Sequence, residues 1–163
     1  MDTSNIKIIS TNRSAYHDYE IIDKLQVGIN LVGSEVKTCR SLFNKDKTIK
    51  KGSVQLKGGY VDINNKLQMT LIGVNISCYN NASDYFNHNP IRERKLLAHK
   101  KEILKLYQQI QQKGLTIIPL QIYFLKNKIK LDIGLGRGKH NYDKREDLKN
   151  KQLKIELNRN IKY

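Results

Sequence analysis

The sequence predicts a mainly β fold: a small closed antiparallel barrel with one long helix, one or two short helices and a C-terminal tail. Three observations lead there. Period-two alternation of apolar and polar residues recurs in runs joined by short turns, as at 60–71 and 116–133. Only one stretch, 90–114, holds a helical period over several turns. The 163 residues suffice for one medium core, which six or so strands bury most compactly by closing on themselves. An open sheet with a packed helix is the other arrangement this pattern allows.

Taken in order, residues 19–22 and 27–32 are short β-prone runs separated by Asp23, Lys24, Leu25 and Gln26, as in a hairpin or a bulged pair. Gly33 ends the second run, and Ser34 caps a short helix through Glu35, Val36, Cys39 and Leu42. Two readings of Glu35 stand: an ion-pair anchor for a basic loop, or a solvated first-turn acid. Residues 41–55 lack alternation and carry Lys45, Lys47, Lys50 and Lys51, as a solvated basic loop or a phosphate contact. Residues 60–64 and 67–73 form a hairpin about Asn64 and Asn65, its second strand running towards Ile76 with Met69 and Leu71 in the core. A polar link spans 80–89.

Asn89 and Pro90 are a cap and a first residue without an amide proton, so the long helix is expected from Pro90 to a stop at Gly114. Its stripe is Leu96, Ile103, Tyr107 and Ile110, widened by Leu97, Leu104 and Leu106, with Leu96 and Leu97 in the core. Arg92, Arg94, Lys95, Lys100, Lys101 and Lys105 load its opening and outer side with positive charge. Residues 116–125 and 128–133 make a third hairpin, with Ile118, Leu120, Ile122 and Phe124 on one side and Pro119 at an edge or bulge. Three glycines within 134–138 and the cations Arg137, Lys139, Lys144 and Arg145 around Tyr142 then suit either a solvated exit from the strand or a nucleic-acid backbone.

We divide the chain into a barrel domain, 1–142, and a tail, 143–163. Asp143 and Glu146 have capping-box spacing, and Leu148, Leu153, Leu157 and Ile161 follow at roughly helical intervals. A lone helix of this length is marginal in water, so the tail is expected to be disordered when free and helical against a partner. Its seven bases against four acids favour an anionic groove.

Lys and Arg number 30 against 15 Asp and Glu, a net charge of +15 that points to a polyanionic partner. No apolar run is long enough for a membrane span or a secretion signal, so the expected setting is cytoplasmic, without membrane association. Cys39 and Cys78 are isolated, and His17, His88, His99 and His140 lack ligand spacing, so no metal, cofactor or disulfide is expected. His17 beside Asp18 lacks a nucleophile, and Cys39 reads as a partly buried thiol. No enzyme is expected.

Five blocks in order resemble one family: residues 12–19 (NRSAYHDY), 33–40 (GSEVKTCR), 89–97 (NPIRERKLL), 114–120 (GLTIIPL) and 134–147 (GLGRGKHNYDKRED). On these the chain is identified as a member of the SmpB family, the SsrA-binding proteins of bacterial trans-translation. The resemblance runs from about Ile8 to the C-terminus. It implies an OB-type barrel that grips the tRNA-like part of transfer-messenger RNA and accompanies it to a stalled 70S ribosome, with no catalytic residue of its own. It also implies a monomer before RNA binding. Carried onto this chain, Asn12, Arg13, Glu35, Lys37, Arg92, Arg94, Lys95, Arg137 and Lys139 form or support the RNA-binding face. The resemblance makes Tyr142, Asp143, Lys144, Arg145, Lys149 and Lys151 the tail that reads the decoding centre and small-subunit ribosomal RNA, with Tyr142 placed to stack on a base.

The chain departs from the family pattern in a longer segment between Arg40 and Gln55, in Tyr16 where a base is usual, and in Gly58 where a charge is usual. A generic single-stranded RNA-binding module and a ribosomal structural protein are the alternative readings of the same basic composition.

Overall fold

The computed structural model describes residues 6–41 and 52–139, together with 152–153 and 156–157. Its strands are β1 (Ile6–Thr11), β2 (Tyr19–Ile29), β3 (Val54–Gln55), β4 (Tyr60–Ile63), β5 (Met69–Ile72), β6 (Asn75–Ile76), β7 (Arg94–Leu97), β8 (Thr116–Leu125) and β9 (Lys128–Gly138). The helices are α1 (Arg13–Asp18), α2 (Gly33–Ser41) and α3 (Lys100–Lys113), with a 3-10 turn at Asp84–Phe86.

All pairings are antiparallel, and β8 closes the sheet by bonding on both edges. One edge meets β9 along its length. The other meets β4 at Ile117 and β1 from Gln121 to Leu125. The circuit β8, β4, β5, β7, β2, β9 and back to β8 is therefore a six-stranded barrel, with β1 appended and β3 paired separately with β6. Inward residues of every barrel strand meet in one core, including Val27, Val61, Leu71, Leu96, Ile117 and Leu131, to which α3 adds Ile103 and Leu106. This is the mainly β, OB-type architecture with helices that the sequence predicts.

Several elements differ from expectation. Residues 19–29 are one continuous strand, with a register shift between Ile21 and Asp23 where two runs were expected. β5 stops at Ile72 because Gly73 turns the chain at φ +74°, and Ile76 pairs with Val54 instead. Residues 94–97, expected in the helix, form β7 between β2 and β5. Arg94 and Leu96 point inward while Lys95 and Leu97 point out, a period of two that tertiary pairing imposes over the local helical stripe. Leu97, expected in the core, is exposed. The helix itself starts at Lys100, where the His99 amide donates to Glu102 Oε2 at 3.0 Å, and it stops at Gly114 in the left-handed region as expected.

β1 and α1 precede the first element expected from the sequence. Asn12 joins them: its Oδ1 accepts from the Ala15 amide to cap α1, and its Nδ2 donates to the Leu56 and Pro119 carbonyls. Pro119 sits at the register shift of β8, between Pro119 and Gln121, so the bulge half of the expectation holds. The shift also divides the apolar side chains. Ile122 and Phe124 enter the barrel core, whereas Ile118 and Leu120 pack with Ala15 of α1.

The glycine stretch continues β9 to Gly138 and is no exit loop up to that point. A Cβ at Gly134 would lie 2.9 Å from Leu120 Cδ1, and one at Gly136 would lie 2.9 Å from the Glu20 carbonyl oxygen. Because backbone yields less readily than a side-chain tip, Gly136→Ala is expected to destabilise the fold by about 1–3 kcal/mol, read as a lower urea midpoint. Unchanged stability would show that β2 and β9 separate at no cost.

Candidate RNA-binding interface

One end of the barrel is organised by the Glu35 carboxylate, which is fully buried at the start of α2. Oε1 accepts from Arg92 Nε at 2.9 Å and Arg94 Nε at 2.8 Å; Oε2 accepts from Arg92 Nη2 at 2.6 Å and the Val32 amide at 2.9 Å. Burial alone would raise the Glu35 pKa, but the Arg92 hydrogen bonds, the Val32 amide and the Arg94 charge outweigh it and hold the carboxyl below its ordinary value. The ion-pair reading of Glu35 is the one realised.

Arg94 is also fully buried, so it is not on the outer cationic side where the helix expectation placed it. Its Nη1 donates to the Val74 and Arg92 carbonyls and its Nη2 to the Pro90 carbonyl, tying β7 to the turns before it. Arg92 is partly exposed and also reaches the Asn30 and Glu93 carbonyls. Cys39 lies beneath this network, wholly buried; burial first, and the Glu35 charge second, push its thiol up to about 12, which leaves no thiolate for chemistry.

Above the network, a groove of about 570 Å³ opens between α2, the end of β2, β7 and the β8–β9 turn. Its charge comes from Arg40, Lys128 and Lys130, and its apolar wall from Val36, Ile29 and Leu97. Register explains the surface. Gly28 pairs with both Lys130 and Leu97, so a residue without a side chain lies between an outward cation and an outward leucine. A Cβ at Gly28 would stand 3.2 Å from Leu97 Cβ, and its absence lets a ligand approach the β2 backbone. Next along the same face, Gln26 Nε2 donates to the Tyr123 hydroxyl, which donates to Asp132 Oδ1 at 2.8 Å. Burial first, then the Asp132 contact, push the Tyr123 phenol up to about 12, so it remains a neutral donor that braces three strands.

The residues singled out in the sequence fall in separate places. Asn12 and Glu35 are buried supports. Lys37 is exposed on α2, and Lys95 is exposed on β7 near the groove. Arg13 is exposed on α1, and Arg137 is exposed opposite Glu20 on β2. Lys139 is fastened to α1 by its amide on the Asp18 carbonyl and its Nζ on the Tyr16 carbonyl. Glu20 and Gly28 are eight residues apart on one strand, roughly 26 Å at 3.3 Å each, so Arg137 and Lys139 stand at the opposite end of β2 from Lys95 and the groove. Tyr142, Asp143, Lys144, Arg145, Lys149 and Lys151 lie outside the described residues, as do the lysines of the 42–51 segment. Sequence reading missed Gly28, Arg40, Lys128 and Lys130 and assigned Leu97 to the core. Only the alternation of Lys128, Lys130 and Asp132 hinted at an outward charged row.

Among the described residues, no group of three or more His, Cys, Asp or Glu could hold a metal ion, and no helix is long and apolar enough to cross a membrane. The family model described as SmpB protein matches residues 9–163. The SsrA-binding protein of Microcystis aeruginosa is 49% identical over 157 residues, covering 96% of this chain and 95% of that protein. That of Thermosynechococcus vestitus is 41% identical over 158 residues, covering 97% of each. A chain from the solved structure described as "tmRNA-SmpB: a journey to the center of the bacterial ribosome" superposes with a TM-score of 0.61 at 36% identity, covering 85% of this chain and 93% of that one. A match along nearly the whole chain, in sequence and in barrel topology together, means that this chain belongs to the SmpB family.

Proposed function

We propose that this chain is an RNA-binding adaptor that binds the tRNA-like domain of transfer-messenger RNA and delivers it to stalled ribosomes for trans-translation. It catalyses no step; peptide transfer belongs to the ribosome. The observation that carries this reading is the likeness over nearly a full chain to a relative described with both transfer-messenger RNA and the ribosome. The generic single-strand binder and the ribosomal structural protein lose ground to it, since neither accounts for that likeness. We place the protein in the cytoplasm, with the ribosomes it serves.

Within this reading, the groove holds RNA. Lys128, Lys130 and Arg40 meet phosphates, Leu97 meets a sugar or base face, and bare backbone at Gly28 admits close contact. Lys95 and Lys37 extend the cationic border. Glu35 and Arg94 act from below by holding α2 against β7, and Asn12 holds α1. Arg13, Arg137 and Lys139 make a second cationic group where the tail departs. Residues 143–163 enter the ribosome's empty message channel and become helical there, and Tyr142 stacks on a base at the entrance.

The test is Lys128→Gln with Lys130→Gln, followed by binding of the tRNA-like domain over a range of salt. Affinity should fall, and the slope of log K against log salt should flatten by about 0.7–0.9 for each phosphate contact removed. Equal weakening with an unchanged slope would take phosphate contact away from this groove.

A further inference from the structure

We propose that Tyr85 and Phe86 form a stacking platform for an unpaired base of the RNA bound in the groove. This site is separate from the groove itself and rests on the RNA-binding reading above. Tyr85 is 89% exposed and Phe86 75%, the most exposed of the large hydrophobic side chains among the described residues. Their centroids are 5.2 Å apart and their planes 89° to one another, so each ring braces the other edge to face and still offers open π surface.

The loop that carries them is held in shape. Asn87 Oδ1 accepts from the Tyr79 amide at 2.9 Å, and its Nδ2 donates to the Tyr79 and Ala82 carbonyls. The Phe86 amide donates to the Ser83 carbonyl at 3.0 Å. His88, buried, bonds the Ile76 carbonyl through Nε2 and Ser34 Oγ through Nδ1, both at 2.9 Å. Thr38 Oγ1 donates to the Ser77 carbonyl at 3.1 Å, so both ends of the loop are fastened to α2. Two aromatic rings are thus presented at an exposed tip whose loop is hydrogen-bonded in place, which lowers the ordering cost of binding.

Charge decides between kinds of partner contact. Residues 77–89 contain no Lys or Arg, in a chain with 30 of them, so this loop is not a phosphate holder. The cations sit next door on α2, where Lys37 Nζ lies 5.9 Å over the Tyr79 ring and Arg40 lines the groove. Aromatic rings on a loop fastened to a cationic helix match a strand whose backbone is held by α2 while a base turns onto the rings.

The experiment compares the full chain with a Tyr85→Ala, Phe86→Ala double variant for binding to the tRNA-like domain of transfer-messenger RNA across salt. Loss of about tenfold in affinity with an unaltered salt slope is expected, because stacking releases no counterions. A second variant, Phe86→Trp, places the chain's only tryptophan at the tip, and its fluorescence should be quenched on RNA binding. Unchanged affinity together with unquenched tryptophan overturns the proposal, as it would if the rings served a pocket on a protein partner. A flattened salt slope also overturns it. Wild-type protein that fails to bind this RNA would instead overturn the adaptor reading, so the two failures are distinguishable.

Discussion

Replacing Glu35 by alanine is expected to cost about 3–5 kcal/mol of folding stability, the range for removing one partner of a buried ion pair. Arg94 would be left fully buried without its counter-charge, and α2 would lose the contact that seats it on β7. Arg92 is partly exposed and can turn to water, so Arg94 accounts for most of the loss. Glu35→Gln keeps the volume and one acceptor oxygen and should lose less. Urea unfolding at neutral pH measures both. The pH dependence supplies a second signature. The folded-state pKa of Glu35 lies below its ordinary value of 4.5, so its stabilisation is present above that value and is lost as pH falls through the folded pKa. Glu35→Gln should lack this part of the acid transition. Wild-type stability in Glu35→Ala would show that the network contributes little. RNA affinity should fall in both variants beyond what unfolding explains, because the α2 wall of the groove shifts.

Truncation after Tyr142 is expected to abolish rescue of stalled ribosomes while leaving affinity for transfer-messenger RNA within about twofold, since every cation assigned to the groove lies on the barrel. The tail's sequence can be helical but offers only scattered Leu and Ile, and Leu153 and Leu157 are exposed on the helical positions described. On the proposed role, the tail orders only where a complementary surface is vacant, so occupied message channels are expected to compete with it. Tyr142→Ala should slow the same step less severely, through loss of one stacking contact. Peptide-transfer assays on ribosomes stalled on truncated message check both. Normal transfer by the truncated protein would sink the role of the tail; a large loss of RNA affinity would move part of the RNA face into it.

Much of the barrel is legible in the sequence because strands with one buried face advertise themselves by alternation. The hairpins of β4 with β5 and β8 with β9, the stop of α3 at Gly114 and the bulge at Pro119 all follow local rules of turn and capping chemistry, whereas Ser34, expected to cap α2, lies inside the helix and bonds His88 instead. β7 was illegible for the opposite reason. Arg94 occupies an inward position and Leu97 an outward one, so the hydrophobic pattern over 94–97 is inverted at both places and reads as the front of the neighbouring helix. Those inversions lie at the proposed RNA site: a buried arginine that pairs with Glu35 of α2 and an exposed leucine that walls the groove.

Fold class, the polyanionic partner and the family are all readable without coordinates, because charge and alternation are sums over many residues and the family blocks are contiguous. Which cations lie side by side depends on long-range pairing. Arg94 became a core residue once Glu35 arrived from 59 positions away. Lys130, Gly28 and Leu97 became neighbours through strand register, while Arg137, seven residues from Lys130 in the chain, was carried to the far end of β2. Register and closure are long-range pairings, and the strength of an ion pair or a groove depends on the burial they create, which no local window of sequence contains.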